Sequence, residues 1–128
     1  MDKKIILTAA FLGFLAIILG AFGAHALKKT LTIEQLNSFE VGVRYQMYHA
    51  LFLLFIGSFA FLTEKERFII FILTIFGVVL FSGSIYLLTT ASITNLQAKW
   101  LGPITPIGGL SLISAWIYLF YAIFSKKL

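Results

Sequence analysis

Four long stretches of this chain contain no Asp, Glu, Lys or Arg, and they limit its possible folds more than any other feature. They are residues 5–24, 45–62, 68–90 and 104–124. A helix needs about 20 mostly apolar residues to cross a bilayer. Transmembrane β-strands are about half as long and alternate between apolar and polar residues. The stretches therefore predict four transmembrane α-helices.

The composition excludes several other classes of protein. Of the 128 residues, 60% are apolar and 12% are charged, whereas a soluble domain is roughly 45–50% apolar and about 25% charged. A chain of this length has too little interior to bury so much apolar surface. The absence of cysteine excludes disulfides and thiolate chemistry. We expect one all-α transmembrane domain over residues 1–128, folded as a four-helix transmembrane bundle.

The longest connection, residues 25–44, contains a helix start. Thr32 and Gln35 have the spacing of a capping box. The amphipathic residues that follow predict a short amphipathic interfacial helix between spans one and two, which could continue into span two. Glu40 and Arg44 are four residues apart and predict a solvated ion pair at headgroup level, with little effect on stability. Residues 63–67 predict a tight charged turn, and residues 91–103 predict a loop.

Lys and Arg predict the orientation of the spans. A cytoplasmic N-terminus puts six of them inside and four outside: Lys3, Lys4, Lys65, Arg67, Lys126 and Lys127 against Lys28, Lys29, Arg44 and Lys99. We therefore predict that both termini are cytoplasmic. The first apolar run is longer than a signal-peptide core, so we expect it to be retained. No basic patch with interleaved aromatic residues indicates nucleic-acid binding.

The unusual residues of the four spans converge on the outer side in this topology. They are His25, Tyr45, Gln46, His49, Ser82, Ser84, Tyr86, Thr105, Gly108 and Gly109. His49 lies one turn below the start of span two, about 6 Å deep. The sequence thus predicts an outer-side polar cluster that binds a ligand or partner, with a pocket bounded by His25, His49, Ser84 and Gly108.

Residues near the start of span four predict local structure. Pro106 suits a first helical position, with Thr105 as its cap. Gly108 and Gly109 predict either an anion-binding helix start or, as the favoured interpretation, a packing notch for His25 or Tyr86. Trp116 lies in mid-span, so its indole N–H needs an acceptor. We expect that acceptor to be a Ser or Thr on another helix.

Small residues lie four apart along span one, where helices can approach closely. The sets are Ala9 with Gly13, and Ala16 with Gly20 and Ala24. Packing drives helix association in lipid, so these residues predict a contact face. The face could serve the bundle or an oligomer.

The sequence offers few residues that could serve in catalysis or metal binding. Two histidines, His25 and His49, are fewer than the protein ligands of a usual zinc site. Ser82 and Ser84 lack an intramembrane Asp or Glu that could orient a histidine base. We therefore predict no catalytic residues, no metal site and no cofactor, and we do not expect an enzyme.

Four motifs, one associated with each span, occur in order along the chain. They are Gly20-Ala21-Phe22-Gly23-Ala24-His25-Ala26-Leu27, Tyr45-Gln46 with His49, Phe81-Ser82-Gly83-Ser84-Ile85-Tyr86, and Thr105-Pro106-Ile107-Gly108-Gly109 with Trp116. In these motifs the chain resembles domain-of-unknown-function family 423, also called the UPF 0382 family, over residues 20–116. The resemblance implies a multi-spanning protein of the bacterial plasma membrane and supplies no catalytic residues.

Three functions remain open at this point. The leading hypothesis is a scaffold or accessory protein that binds a partner or lipid through the outer-side polar cluster. The second is a transporter or channel for a small solute or ion, acting as an oligomer. The third is a membrane protein that binds a cofactor or metal through its histidines. The expected partners are the lipid bilayer and either a second copy of the chain or another membrane protein, with no nucleic acid.

Overall fold

The computed structural model describes residues 2–95, 97 and 99–127. Its α-helices are α1 (Lys3–His25), α2 (Ile33–Ser58), α3 (Glu64–Val78), α4 (Ser84–Thr89), α5 (Ala91–Thr94) and α6 (Ile104–Phe124). A π-helical turn, Val79–Gly83, joins α3 to α4, and 3₁₀ turns occupy Leu27–Lys29 and Lys99–Leu101. The regular structure in these residues is helical throughout, which confirms the predicted all-α class.

Three helical segments of the described chain are long and apolar enough to cross a membrane. They are Lys3–Lys29, Glu64–Thr89 and Lys99–Phe124. The helix α2 is as long, at 26 residues, but polar residues such as Arg44, Gln46 and His49 lower its hydropathy. Length and composition therefore support three of the four predicted spans.

The helix α2 begins where the sequence predicts and runs without a break into the second apolar stretch. The Thr32 hydroxyl accepts from the Gln35 N–H at 3.1 Å, and the Gln35 side chain accepts from the Thr32 N–H at 3.0 Å. The capping box is thus confirmed. The separate short interfacial helix is wrong, because no proline or turn interrupts the chain before Ser58. Glu40 and Arg44 form no ion pair in this described segment.

A second capping box starts α3 and fixes one end of the molecule. The Thr63 hydroxyl accepts from the Glu66 N–H at 3.1 Å, and the Glu66 carboxylate accepts from the Thr63 N–H at 2.9 Å. The same carboxylate pairs with Lys126 beyond α6 at 2.9 Å. Arg67 donates to the Phe59 carbonyl at 3.1 Å, which holds the turn between α2 and α3.

Close contact between α1 and α2 follows the small residues of the first span. A Cβ added at Gly13 would lie 3.8 Å from the Ala50 methyl, and one added at Gly20 would lie 3.4 Å from Val43. The two helices are antiparallel, because these contacts run in opposite directions along the two chains. The predicted contact face is confirmed except at Ala24, which is exposed.

The other long helices pack as a second antiparallel pair. The Ser111 hydroxyl on α6 donates to the Leu73 carbonyl on α3 at 2.7 Å. Between the two pairs lies an apolar core that includes Leu53, Ile56 and Ile70, each fully buried. The predicted loop 91–103 contains α5 and the second 3₁₀ turn, and its residues 96 and 98 lie outside the described residues.

Candidate functional site

Gln46 joins three helices from inside the core. The residue lies on α2 and is only 3% exposed. Its Nε2 donates to the carbonyl oxygen of Leu12 on α1 at 2.9 Å. The Tyr86 hydroxyl on α4 donates to its Oε1 at 2.7 Å. Paired polar side chains of this kind stabilise helix contacts where no water can solvate them.

Ser82 connects the π-helical turn to α2. Its side chain is 1% exposed, and its hydroxyl donates to the Gly42 carbonyl at 2.7 Å. A π-helical turn inserts an extra residue into a helix and occurs frequently at functional sites. Gly42 has no room for a side chain, because an added Cβ would lie 2.8 Å from the Tyr86 ring. The missing side chain of Gly42 therefore leaves room for the Tyr86 ring on α4, next to the Ser82 bond.

Gly108 on α6 provides a packing notch for the π-helical turn, which contacts α2 through Ser82 and α6 through this notch. A Cβ added there would lie 2.3 Å from the Phe81 nitrogen and 2.7 Å from the Leu80 carbonyl carbon. The predicted packing notch is confirmed, but the backbone of the turn fills it rather than His25 or Tyr86. Gly109 is less restricted, since its added Cβ would lie 3.6 Å from the Phe81 ring.

Ser84 and Thr105 join α4 to the start of α6 through a hydrogen bond between their hydroxyl groups. Thr105 does not cap α6, because the helix begins at Ile104 after Pro103, which has no side-chain cap bond. The predicted cap and the predicted first position of Pro106 are therefore wrong. Pro106 lies in the first turn, where the missing N–H leaves no intrahelical bond unmade.

His49 and Trp116 form a hydrogen-bonded pair between α2 and α6. The Trp116 Nε1–H donates to His49 Nε2 at 3.1 Å, and His49 Nδ1 lies 2.7 Å from the Tyr45 carbonyl oxygen. An indole nitrogen only donates and a carbonyl oxygen only accepts. These partners therefore assign the neutral imidazole with its proton on Nδ1. The acceptor of the indole N–H is thus a histidine, and the expected Ser or Thr was wrong.

The contacts between α1 and α2 show how residues of one helix line up with residues of the other. Ala50 packs on Gly13, near the middle of the 23-residue α1. His49, the residue before Ala50 on α2, therefore lies level with the middle of α1. His25 ends α1, exposed, about 18 Å further along the helix at 1.5 Å per residue. The structure thus separates His25 from the predicted pocket.

A cavity of about 310 Å³ opens to the molecular surface between α2, the π-helical turn and α6; we call it the lateral groove. Its lining residues are Tyr45, His49, Phe81, Gly109, Leu112, Ile113 and Trp116. The Trp116 ring is 48% exposed and packs on Phe52, with ring centroids 4.1 Å apart. The groove is therefore apolar, with one polar pair on its wall.

The predicted site residues fall into two sets. The first set bonds within the protein, and we call it the polar layer: Gln46, Ser82, Ser84, Tyr86 and Thr105. The second set lines the lateral groove: Tyr45, His49 and Gly109. Gly108 is a packing residue between them. Trp116 and Phe81 were absent from the predicted site, although the isolated tryptophan of the fourth span was a usable signal.

The fold and the groove define a helical membrane protein whose polar side chains are largely paired in its interior. A family model described as "Protein of unknown function (DUF423)" matches residues 19–109. The chain belongs to this family, which is also named UPF0382. No solved structure matches the chain.

Several bacterial relatives are similar over most of the chain. The UPF0382 membrane protein YwdK of Bacillus subtilis is 40% identical over 125 residues, which cover 94% of this chain and 95% of the relative. A UPF0382 membrane protein of Staphylococcus saprophyticus is 39% identical, with 91% and 93% covered. The UPF0382 inner membrane protein YgdD of Escherichia coli is 34% identical, with 90% and 85% covered. These relatives and the apolar helices establish a multi-pass membrane protein.

Proposed function

We propose that α2 also crosses the membrane, so that the chain spans it four times as a four-helix bundle. At one end of the α1–α2 pair, the Asp2 N–H donates to the Gly57 carbonyl at 2.8 Å. At the other end, a Cβ added at Gly23 would lie 3.0 Å from the Phe39 ring. A helix that packs along all of a membrane-spanning helix occupies the same depth. The internal hydrogen bonds of Gln46 make that depth tolerable for a polar side chain.

We further propose a bacterial plasma-membrane location with both termini in the cytoplasm. The relatives named above are bacterial membrane proteins, and the Lys and Arg count favours this orientation. The polar layer would then lie in the outer half of the membrane. The ion pair between Glu66 and Lys126 would lie at the cytoplasmic face.

Within that topology, the proposed role is that of a non-catalytic accessory or scaffold protein that holds an acyl chain in the lateral groove. The observation that carries this proposal is the groove itself, an apolar cavity of about 310 Å³ that opens on the side of the molecule, level with the middle of α1. In a bilayer such an opening faces lipid, and an acyl chain matches its apolar walls. A second copy of the chain or a side chain from another membrane protein is the competing occupant.

The contacts of the polar side chains favour this role over an enzyme. The Ser82 hydroxyl donates to the Gly42 carbonyl, and the Ser84 hydroxyl bonds Thr105. Both ring nitrogens of His49 have partners, so the ring is neither a free base nor a free metal ligand. No three His, Cys, Asp or Glu side chains converge within the described part of the chain.

The same contacts also favour the proposed role over transport, the alternative function. A coupled proton or ion pathway needs ionisable or polar groups that exchange partners across the membrane. Gln46 and Ser82 instead bond to backbone carbonyls of neighbouring helices, which fixes them in place. The polar layer is therefore better suited to holding the helices together by hydrogen bonds than to forming a solute pathway.

Tryptophan quenching by brominated lipid tests the proposed role. Replacing Trp100, the other tryptophan, by Phe leaves Trp116 as the single reporter on the groove wall. We expect vesicle lipids brominated in mid-chain to quench Trp116, and we expect Gly109→Leu to reduce the quenching by filling the groove. Gly83→Leu is the matched control, because Gly83 faces open space away from this groove.

The outcome is decided by comparing the two leucine variants. Lower quenching in Gly109→Leu than in Gly83→Leu supports an acyl chain in the groove. Equal quenching in the two variants overturns the proposal. A loss of quenching only at high protein density, where copies meet, would identify a second copy as the occupant and would also overturn it.

A further inference from the structure

Arg44 lies below the end of the first span and has no polar partner among the described residues. It follows Val43, which packs on Gly20, and Gly20 is five residues before the end of α1 at His25. At 1.5 Å per residue, Arg44 is therefore about 8 Å inside that end. The residue is exposed, and it makes no hydrogen bond or ion pair with the described residues.

An unpaired arginine at this depth attracts an anion. A cationic side chain in a spanning segment is costly unless it reaches the interface or pairs with an opposite charge. Glu40, one turn away on α2, does not pair with it. An arginine guanidinium matches the geometry of a phosphate group, which can accept two of its N–H bonds.

Two aromatic rings connect Arg44 to the lateral groove. Tyr48 lies four residues beyond Arg44, on the same face of α2. Its ring contacts that of Tyr45, with centroids 5.6 Å apart, and the Tyr45 ring contacts Phe81 at 5.0 Å. Tyr45 and Phe81 both line the groove. Three aromatic rings in contact therefore lead into the groove from Tyr48, the residue one helical turn beyond Arg44.

We propose that the lateral groove selects an anionic phospholipid. Its phosphate pairs with the Arg44 guanidinium and carries a net charge, whereas in phosphatidylcholine the choline cation offsets the charge of the same phosphate. One acyl chain passes over Tyr48 and Tyr45 into the groove towards Trp116. This inference rests on the proposed function, since it names the lipid class for the same groove. Arg44 binds the lipid headgroup and the groove wall binds the acyl chain, so a substitution can remove one of the two contacts without the other.

Headgroup selectivity is measured with the Trp100→Phe protein in vesicles of phosphatidylcholine. A minor fraction of brominated phosphatidylglycerol is compared with the same fraction of brominated phosphatidylcholine. One basic residue near a membrane contributes about 1 kcal/mol to binding an anionic lipid, so we expect about a fivefold preference for phosphatidylglycerol. Arg44→Gln should abolish the preference, and Arg44→Lys should retain part of it.

Lys29→Gln is the matched control, because it removes one exposed cation in the 3₁₀ turn after α1 while leaving Arg44 intact. The inference is overturned if the preference is absent in the parent protein, or if Arg44→Gln and Lys29→Gln reduce it equally. In either case, if Gly109→Leu still lowers the quenching of Trp116, the proposed acyl-chain site is supported. Quenching insensitive to Gly109→Leu removes the proposed function as well.

Discussion

At the scale of single residues, the polar side chains of this protein mainly bond to one another or to the backbone. An unpaired polar group in an apolar environment costs free energy, so each buried one needs a partner. Gln46 uses both ends of its amide, and His49 uses both ring nitrogens. The residues that look functional in the sequence therefore also hold the helices together.

Tyr86→Phe tests the contribution of one such bond. The change removes the hydroxyl that donates to Gln46 and leaves the amide oxygen unpaired. We expect the free energy of unfolding to fall by about 1 kcal/mol, the scale of interhelical hydrogen bonds in membranes. The measurement is unfolding in mixed micelles with increasing sodium dodecyl sulfate. Tyr121→Phe is the control, because Tyr121 is 65% exposed, and an equal loss in both variants would contradict the account.

The sequence predicts residue types better than residue partners. The mid-span position of Trp116 correctly requires an acceptor for its N–H, but the identity of that acceptor depends on the register between α2 and α6. The sequence predicts that His25 and His49 bound one pocket, yet the α1–α2 contacts place them at different levels along α1. Partner choice is a property of helix packing, which one-dimensional spacing does not specify.

At the scale of elements, the close approach of α6 to the π-helical turn is the tightest constraint on the site. Gly108 lies against the backbone of Leu80 and Phe81, and backbone atoms cannot move aside as a flexible side chain can. The turn also provides Ser82 for its bond to α2. The shape of the polar layer therefore depends on one glycine.

Gly108→Ala is expected to destabilise the fold strongly. The new methyl would lie 2.3 Å from the Phe81 nitrogen, so α6 must shift away from the turn. Overpacking usually costs about 1–3 kcal/mol, and contact with backbone favours the upper end. Gly83→Ala has the same chemistry in open space, and we expect no loss there. Thermal unfolding in detergent compares the two, and a stable Gly108→Ala protein would contradict this packing.

Element boundaries were predictable where capping residues mark them. Thr32 and Gln35 correctly gave the start of α2. The same spacing at Thr63 and Glu66 starts α3 at Glu64, so residues 63–67, predicted as a charged turn, form the cap and first turn of this helix. The continuity of α2 was left open, because the amphipathic and apolar stretches of one helix look like two elements. The π-helical turn has no sequence signal of its own.

At the scale of the whole molecule, the account depends on how many times the chain crosses the bilayer. The surface of the helices carries large exposed apolar side chains, as expected for contact with lipid. Among them are Phe14, Ile17, Phe120 and Phe124. Apolar length alone supports three spans. The proposed fourth span rests on packing, since α2 lies along the full length of α1.

The side of the membrane on which α2 begins is the most direct test of the account. The chain has no cysteine, so single cysteines can be introduced at Glu34, near the start of α2, and at Lys65, in the first turn of α3. Both positions are exposed. A thiol reagent that cannot cross the membrane should label Glu34→Cys in intact cells, and should label Lys65→Cys only after permeabilisation. Labelling of both variants from the same side would show that α2 does not cross, and would contradict the account.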